Sequence, residues 1–260
     1  MWQQPASRVQ PLYHTAQSPI CVGEDVILHV GGHGAGSLTA FNQESGEIRW
    51  SWDGDGPAYG SPIVVELDDV KQIVTFTQEH LVGVDVETGE LLWRRSFSTP
   101  NTTTSQTPIT FEGDLIEAGR DNGITRVSVV REGRAWHTQD VWHTDEVSLH
   151  MANGIVLDGV LYGLSHLNSG QYFALDLRDG AVLWTSTARQ ADHASLVGTS
   201  GPLLSLEDDG ELLVLDSSRV EFLPLTRYEV ASSATWAQPS LSNDRIYVKD
   251  WSSLALWLVE

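Results

Sequence analysis

Gly83-Val84-Asp85-Val86-Glu87-Thr88-Gly89-Glu90-Leu91-Leu92-Trp93 is one of three near copies of a single phrase. The others are Ala40-Phe41-Asn42-Gln43-Glu44-Ser45-Gly46-Glu47-Ile48-Arg49-Trp50 and Ala174-Leu175-Asp176-Leu177-Arg178-Asp179-Gly180-Ala181-Val182-Leu183-Trp184. All three read small residue, any residue, Asp or Asn, two spacers, a polar residue, Gly, three spacers, Trp. The pattern predicts a hairpin. A strand ends in Asp or Asn, whose short side chain bonds the backbone of the turn. Glycine takes the positive φ that closes the turn. The returning strand brings in a Trp with a large area to bury.

Weaker copies fill the gaps. Ser128 to Trp136 is one spacer short, and Leu213-Val214-Leu215-Asp216 runs on to Phe222 with the Gly lost and the Trp replaced. The aromatic positions Trp50, Trp93, Trp136, Trp184 and Phe222 are spaced by 43, 43, 48 and 38 residues. A period near forty to forty-five is that of a four-stranded propeller blade. No stretch carries a clean helical period.

A second repeat lies upstream of each hairpin, where a strand begins after a small polar residue: Gln17-Ser18-Pro19-Ile20, Gly60-Ser61-Pro62-Ile63, Gln106-Thr107-Pro108-Ile109, Ala152-Asn153-Gly154-Ile155, Ala194-Ser195-Leu196-Val197 and Ala237-Gln238-Pro239-Ser240. These read as innermost strands. The expectation is an all-β fold, a β-propeller of about six four-stranded antiparallel blades at 18–55, 59–99, 105–146, 149–193, 194–233 and 235–260, forming one domain over 1–260. The last blade is short by its outermost strand, and residues 7–15, around Val9-Gln10-Pro11-Leu12-Tyr13, are the expected donor that closes the ring.

The chain has 260 residues and a formal net charge of −20, from 15 basic and 35 acidic residues. That balance disfavours nucleic acid, whose binding rests on Lys and Arg displacing counterions, and disfavours an anionic membrane surface. It reads first as solubility, with attraction of cations or a basic partner as the sharper alternative. Cys21 is the only cysteine, so the fold is expected to rest on packing. No apolar run is long enough for a membrane span. The stretch Met1-Trp2-Gln3-Gln4-Pro5 has neither the basic nor the apolar region of a signal peptide.

The repeated phrase resembles the tryptophan-docking repeat of quinoprotein propellers and the PQQ-like repeat of the BamB-like superfamily. Stretches such as Val30-Gly31-Gly32-His33, Trp50-Ser51-Trp52-Asp53-Gly54-Asp55-Gly56-Pro57-Ala58-Tyr59 and Thr235-Trp236-Ala237-Gln238-Pro239 resemble bacterial PQQ-binding-like β-propeller repeat proteins. The resemblance implies a periplasmic or secreted protein and a propeller of about eight blades. Quinoprotein dehydrogenases carry adjacent cysteines and a calcium-binding set of acid and Asn over their cofactor. Here Cys21 stands alone, and the sequence offers no matching acidic cluster. The expectation is a chain without cofactor, with PQQ as the alternative.

In a propeller, residues just before each innermost strand ring the mouth of the central channel. Aligning the six starts brings together His14, Tyr59, His150, Asp192, His193 and Trp236. Three His beside an Asp have the chemistry of metal ligands or of an acid–base set, and Tyr59 and Trp236 that of a stacking platform for a flat or sugar-like ligand. The opposing reading is that they satisfy buried backbone groups at the mouth. His33 and His166 are expected on loops or outer strands, and His137 and His143 on the surface. There is no His-Glu-x-x-His motif and no nucleophile elbow.

Two functions follow. The first is a non-catalytic scaffold that binds a protein partner, or a small ligand such as a sugar, through a loop face or the channel mouth. The second is a PQQ- or metal-dependent oxidoreductase acting on alcohols or sugars at the channel. The expected state is a monomer, or a self-associating chain if the ring is incomplete.

Overall fold

A computed structural model describes residues 1–5, 7–199 and 201–258. The chain divides into two compact units, residues 1–143 and 144–260. In the first unit, β1 (Ile20–Val22), β2 (Asp25–Gly32), β3 (Ala35–Asn42) and β4 (Ile48–Gly54) form one antiparallel sheet. A second holds β5 (Ile63–Leu67), β6 (Val70–Phe76), β7 (His80–Asp85) and β8 (Leu91–Ser96), and a third holds β9 (Ile109–Phe111), β10 (Asp114–Ala118), β11 (Ile124–Glu132) and β12 (Ala135–Thr144). In the second unit, β13 (Ile155–Leu157), β14 (Val160–Ser165), β15 (Gln171–Asp176) and β16 (Val182–Thr185) form the fourth sheet. The fifth contains β17 (Ala194–Gly198), β18 (Leu203–Glu207), β19 (Glu211–Leu215) and β20 (Pro224–Glu229), and the sixth β21 (Ser240–Ser242), β22 (Arg245–Lys249) and β23 (Leu254–Leu258). Strands follow chain order within each sheet, so every sheet is a meander, the blade of a β-propeller. Among the described residues there is no α-helix, only single 3-10 turns at Pro100–Thr102 and Leu167–Ser169.

The hairpin phrase folds as its chemistry dictates. Asn42 Oδ1 accepts from the N–H groups of Glu44 and Ser45 at 3.1 and 2.9 Å. Asp85 Oδ1 accepts from Glu87 and Thr88 at 3.0 and 2.8 Å. Gly46, Gly89 and Gly180 close the three turns at φ of 74°, 74° and 78°. The register slips by one residue just before each turn, between Ala40 and Phe41, Gly83 and Val84, and Ala174 and Leu175. Such a bulge turns the strand towards the bend.

The tryptophans dock on the next blade. Trp50 donates its indole N–H to the Val86 carbonyl at 3.0 Å, and a Cβ on Gly89 would sit 2.7 Å from its ring. Trp184 reaches the Ser218 carbonyl at 2.8 Å. Trp93 instead donates to Gln72 Oε1 in its own blade at 2.7 Å. Phe222 lies in the loop before β20, stacks on Tyr172 at 5.5 Å between centroids and meets Trp184 in a tilted contact at 5.8 Å.

Among the described residues, apolar clusters join successive blades within each unit. Ile27, Leu38 and Trp50 meet Ile73, Val82 and Val84. Phe76, Leu81 and Trp93 meet Leu115 and Val127. Tyr162, Tyr172 and Trp184 meet Leu196, Leu203 and Leu213. Leu204, Leu206 and Leu212 meet Ile246 and Val248. Each fully buried large side chain here contributes about 1.5–3 kcal/mol of transfer free energy.

The strand expected near Val9–Tyr13 does not form, and the sixth sheet has three strands among the described residues. Pro11 cannot donate a ladder bond, and His14 at φ 66° closes a turn by donating its N–H to the Pro11 carbonyl at 3.1 Å. This segment lies on the first blade instead. Gln10 accepts from the His33 N–H at 3.2 Å, and the Val9 carbonyl occupies the space a Cβ on Gly32 would need.

Candidate functional site

The small polar residues before the innermost strands serve a structural purpose. The Ser18 N–H donates to Ser61 Oγ at 2.9 Å, and the Ser61 N–H donates to Thr107 Oγ1 at 3.1 Å. Gln17 Nε2 adds a bond to the Ala58 carbonyl at 3.0 Å. These bonds run from blade to blade and satisfy strand ends that have no ladder partner. The backbone passes so close that a Cβ on Gly60 would collide with the Gln106 carbonyl.

Of the residues expected at the mouth, His14 and Tyr59 belong to the first unit. Tyr59 is tied to the N-terminal segment: its hydroxyl accepts from the Tyr13 N–H at 2.9 Å, and the two rings lie 6.1 Å apart. His14 follows directly and is exposed.

The second unit brings three expected residues into one row and adds a fourth. His193 sits 5.0 Å from Trp236 and 6.1 Å from His150, centroid to centroid, and His150 sits 5.6 Å from His166. The rings are tilted by 46–59°, so the row is stepped. His166, expected on a loop or outer strand, directly follows β14. Its signal lay in the strand-ending Ser165, whose hydroxyl accepts from the Ser148 N–H at 3.1 Å and so draws the segment before His150 to this end of β14. Trp236 ends the row at 57 % exposure, with Met151 exposed as well. Asp192 is not part of the row; it lines a separate cavity of about 370 Å³ with Ser169, Arg189 and Gln190.

The row rests on a buried polar layer. The His193 N–H donates to Asp208 Oδ1, and the Asp208 N–H returns to the His193 carbonyl, both at 3.0 Å. The Thr235 N–H, next to Trp236, donates to the Asp208 carbonyl at 3.1 Å. Adjacent Glu207 is 2 % exposed. Burial pushes its carboxyl up to about 7, against the hydrogen bond from the Tyr172 hydroxyl at 2.7 Å and the charge of Arg227 at 3.2 Å.

This rim offers flat faces and imidazole nitrogens on a fixed backbone. Among the described residues, no three or more His, Cys, Asp or Glu side chains are grouped to hold a metal ion. Cys21 is exposed on β1. These residues do not fit a quinone held through calcium and paired cysteines.

A family model described as outer membrane protein assembly factor BamB matches residues 1–186. The outer membrane protein assembly factor BamB of Shewanella oneidensis is 26 % identical over 232 residues, 86 % of this chain and 56 % of that protein. BamB of Yersinia pestis is 24 % identical over 195 residues, 69 % of this chain and 48 % of its own length. The chain spans about half the length of the curated relatives it matches. Among solved structures, BamB from Moraxella catarrhalis aligns with a TM-score of 0.57 at 16 % identity, over 94 % of this chain and 85 % of that one. The dihydro-heme d1 dehydrogenase NirN aligns at 0.61 and 11 %, over 92 % of this chain and 53 % of that one. At these identities the structural likenesses carry the fold alone.

Proposed function

Because this chain belongs to the family of the outer membrane protein assembly factor BamB, we propose that it is a non-catalytic propeller module that holds a protein partner in the periplasm during outer membrane protein assembly. In this reading residues 1–260 form one propeller domain, and the partner docks on the row His166, His150, His193 and Trp236. The observation that carries the reading is the half-exposed indole of Trp236, packed against the His193 ring, while the preceding Thr235 backbone is bonded to Asp208. Binding hot spots favour large aromatic side chains on fixed supports, ringed by polar groups. His14, Tyr59 and Asp192 supply further contacts at loop ends.

The test is site-directed photocrosslinking in cells. A photoreactive residue at position 236 is expected to trap a component of the outer membrane assembly machinery, whereas one at exposed Trp251 is not. Equal trapping at both positions would overturn the docking row. The oxidoreductase reading makes the opposite forecast: saturable binding of PQQ plus calcium, with turnover lost in His150→Ala or His193→Ala.

A further inference from the structure

The second and third blades enclose a cleft of about 620 Å³ inside the first unit, distinct from the row described above. Its wall carries Glu79, His80, Arg95, Glu117, Asp140 and His143. Arg95 is the one Arg or Lys among the residues lining the cleft, and it is fully engaged. Its Nε and one terminal nitrogen grip Glu117 at 2.8–3.1 Å, and the other terminal nitrogen meets Asp140 at 2.7 Å. An anion entering the cleft would find this guanidinium already neutralised by two carboxylates.

Two histidines on the wall are each held by a hydrogen bond to a neighbour. His80 Nδ1 lies 2.6 Å from Asp55 Oδ2. Burial raises the Asp55 carboxyl, but hydrogen bonds from His80 and Thr77 outweigh it and hold Asp55 below its ordinary value. This contact with the Asp55 carboxylate fixes the orientation of the His80 ring. His143 is placed by a 2.9 Å hydrogen bond between its Nδ1 and Thr125 Oγ1. The exposed carboxylates Glu79 and Asp140 stand on the wall.

We propose that this cleft is a binding site for a donor-rich cation, the guanidinium or ammonium end of a basic side chain presented by a partner. Three carboxylates against one engaged guanidinium leave the wall net negative, and the chain as a whole carries −20. The volume lies in the range of a ligand pocket and admits a long side chain. The site is independent of Trp236, so the two proposals fail separately.

The test uses the full chain with 15N-labelled histidine. It is titrated with N-acetyl-arginine amide, N-acetyl-lysine amide and, as the neutral isostere, N-acetyl-citrulline amide. The expected result is a saturable shift of the His80 and His143 ring signals with arginine or lysine and none with citrulline. The exposed-site double variant Glu79→Gln/Asp140→Asn is expected to weaken binding at least about tenfold, while Trp236→Ala leaves it unchanged. The arginine and lysine arms decide which cation the cleft prefers. Equal shifts with citrulline, unchanged affinity in the double variant, or no saturation with either cation would overturn the proposal.

Discussion

The indole of Trp2 lies over Gly46 as the indole of Trp50 lies over Gly89. Trp2 Nε1 donates to the Gln43 carbonyl at 2.9 Å, and Trp50 Nε1 donates to the equivalent Val86 carbonyl at 3.0 Å. A Cβ on Gly46 would stand 2.3 Å from the Trp2 ring. The first blade therefore carries a docked tryptophan from upstream, as the second blade does. Trp2→Ala is expected to weaken the first blade by roughly 1–3 kcal/mol through lost burial. Gly46→Ala is expected to cost at least about 1 kcal/mol, because it adds left-handed strain to the collision. The double variant should lose less than the sum, since both changes remove one contact. Hydrogen exchange of the β3 and β4 amides measures it.

Trp2 also marks where the sequence was hard to read. The phrase of Asp or Asn, two spacers, a polar residue, Gly, three spacers and Trp identified the blades because its turn chemistry is local, and the structure places all three turns at those residues. Trp2 has no such phrase before it, and its partner Gly46 lies far along the chain. The strand expected over Val9–Tyr13 from the need to close the ring did not form, because that argument takes no account of the missing donor on Pro11 or of the left-handed turn at His14. At the candidate site, aligning strand starts found His193 and Trp236, which share one position in the repeat, and His150, one position earlier. It missed His166 and the cleft residues Arg95 and Glu117, which come from strand ends on neighbouring elements and meet only through packing.

His29 gives the first unit a pH dependence. It is buried, and desolvation pushes it down to about 4 from 6.5, although the Asp55 carbonyl and charge oppose this. The neutral ring is favoured in the folded state. The stability it contributes is complete above pH 6.5 and is lost as pH falls towards 4, a change on the order of 3 kcal/mol. Urea unfolding of the first unit between pH 4 and 7 should show this rise with pH, flattened in His29→Gln.

Glu207 acts in the opposite sense in the second unit. Its carboxyl is pushed up to about 7 from 4.5, so the protonated form is favoured in the folded state. That contribution is complete below pH 4.5 and is lost as pH rises through 7, again on the order of 3 kcal/mol. Glu207→Gln keeps the neutral form at every pH, and unfolding of the second unit should then lose this slope.

The pair Arg95–Glu117 is expected to show the asymmetry of buried ion pairs. Glu117 is 3 % exposed and its carboxyl is raised by burial even with Arg95 bound. Arg95→Ala strands that carboxylate and should destabilise the first unit by about 3–5 kcal/mol. Adding Glu117→Gln should recover part of the loss, because no buried charge is then left alone. Thermal unfolding of the two variants beside the wild type tests it.

The central claim is that the aromatic rim of the second unit is where a partner is held. The most direct measurement is the affinity of the purified chain for the isolated outer membrane assembly machinery, by biolayer interferometry, with Trp236→Ala and Trp251→Ala beside the wild type. The account predicts specific binding that falls about thirtyfold or more in Trp236→Ala, the loss of about 2 kcal/mol expected of a hot spot, and is unchanged in Trp251→Ala. Binding that is equal in all three, or absent from the wild type, would contradict it.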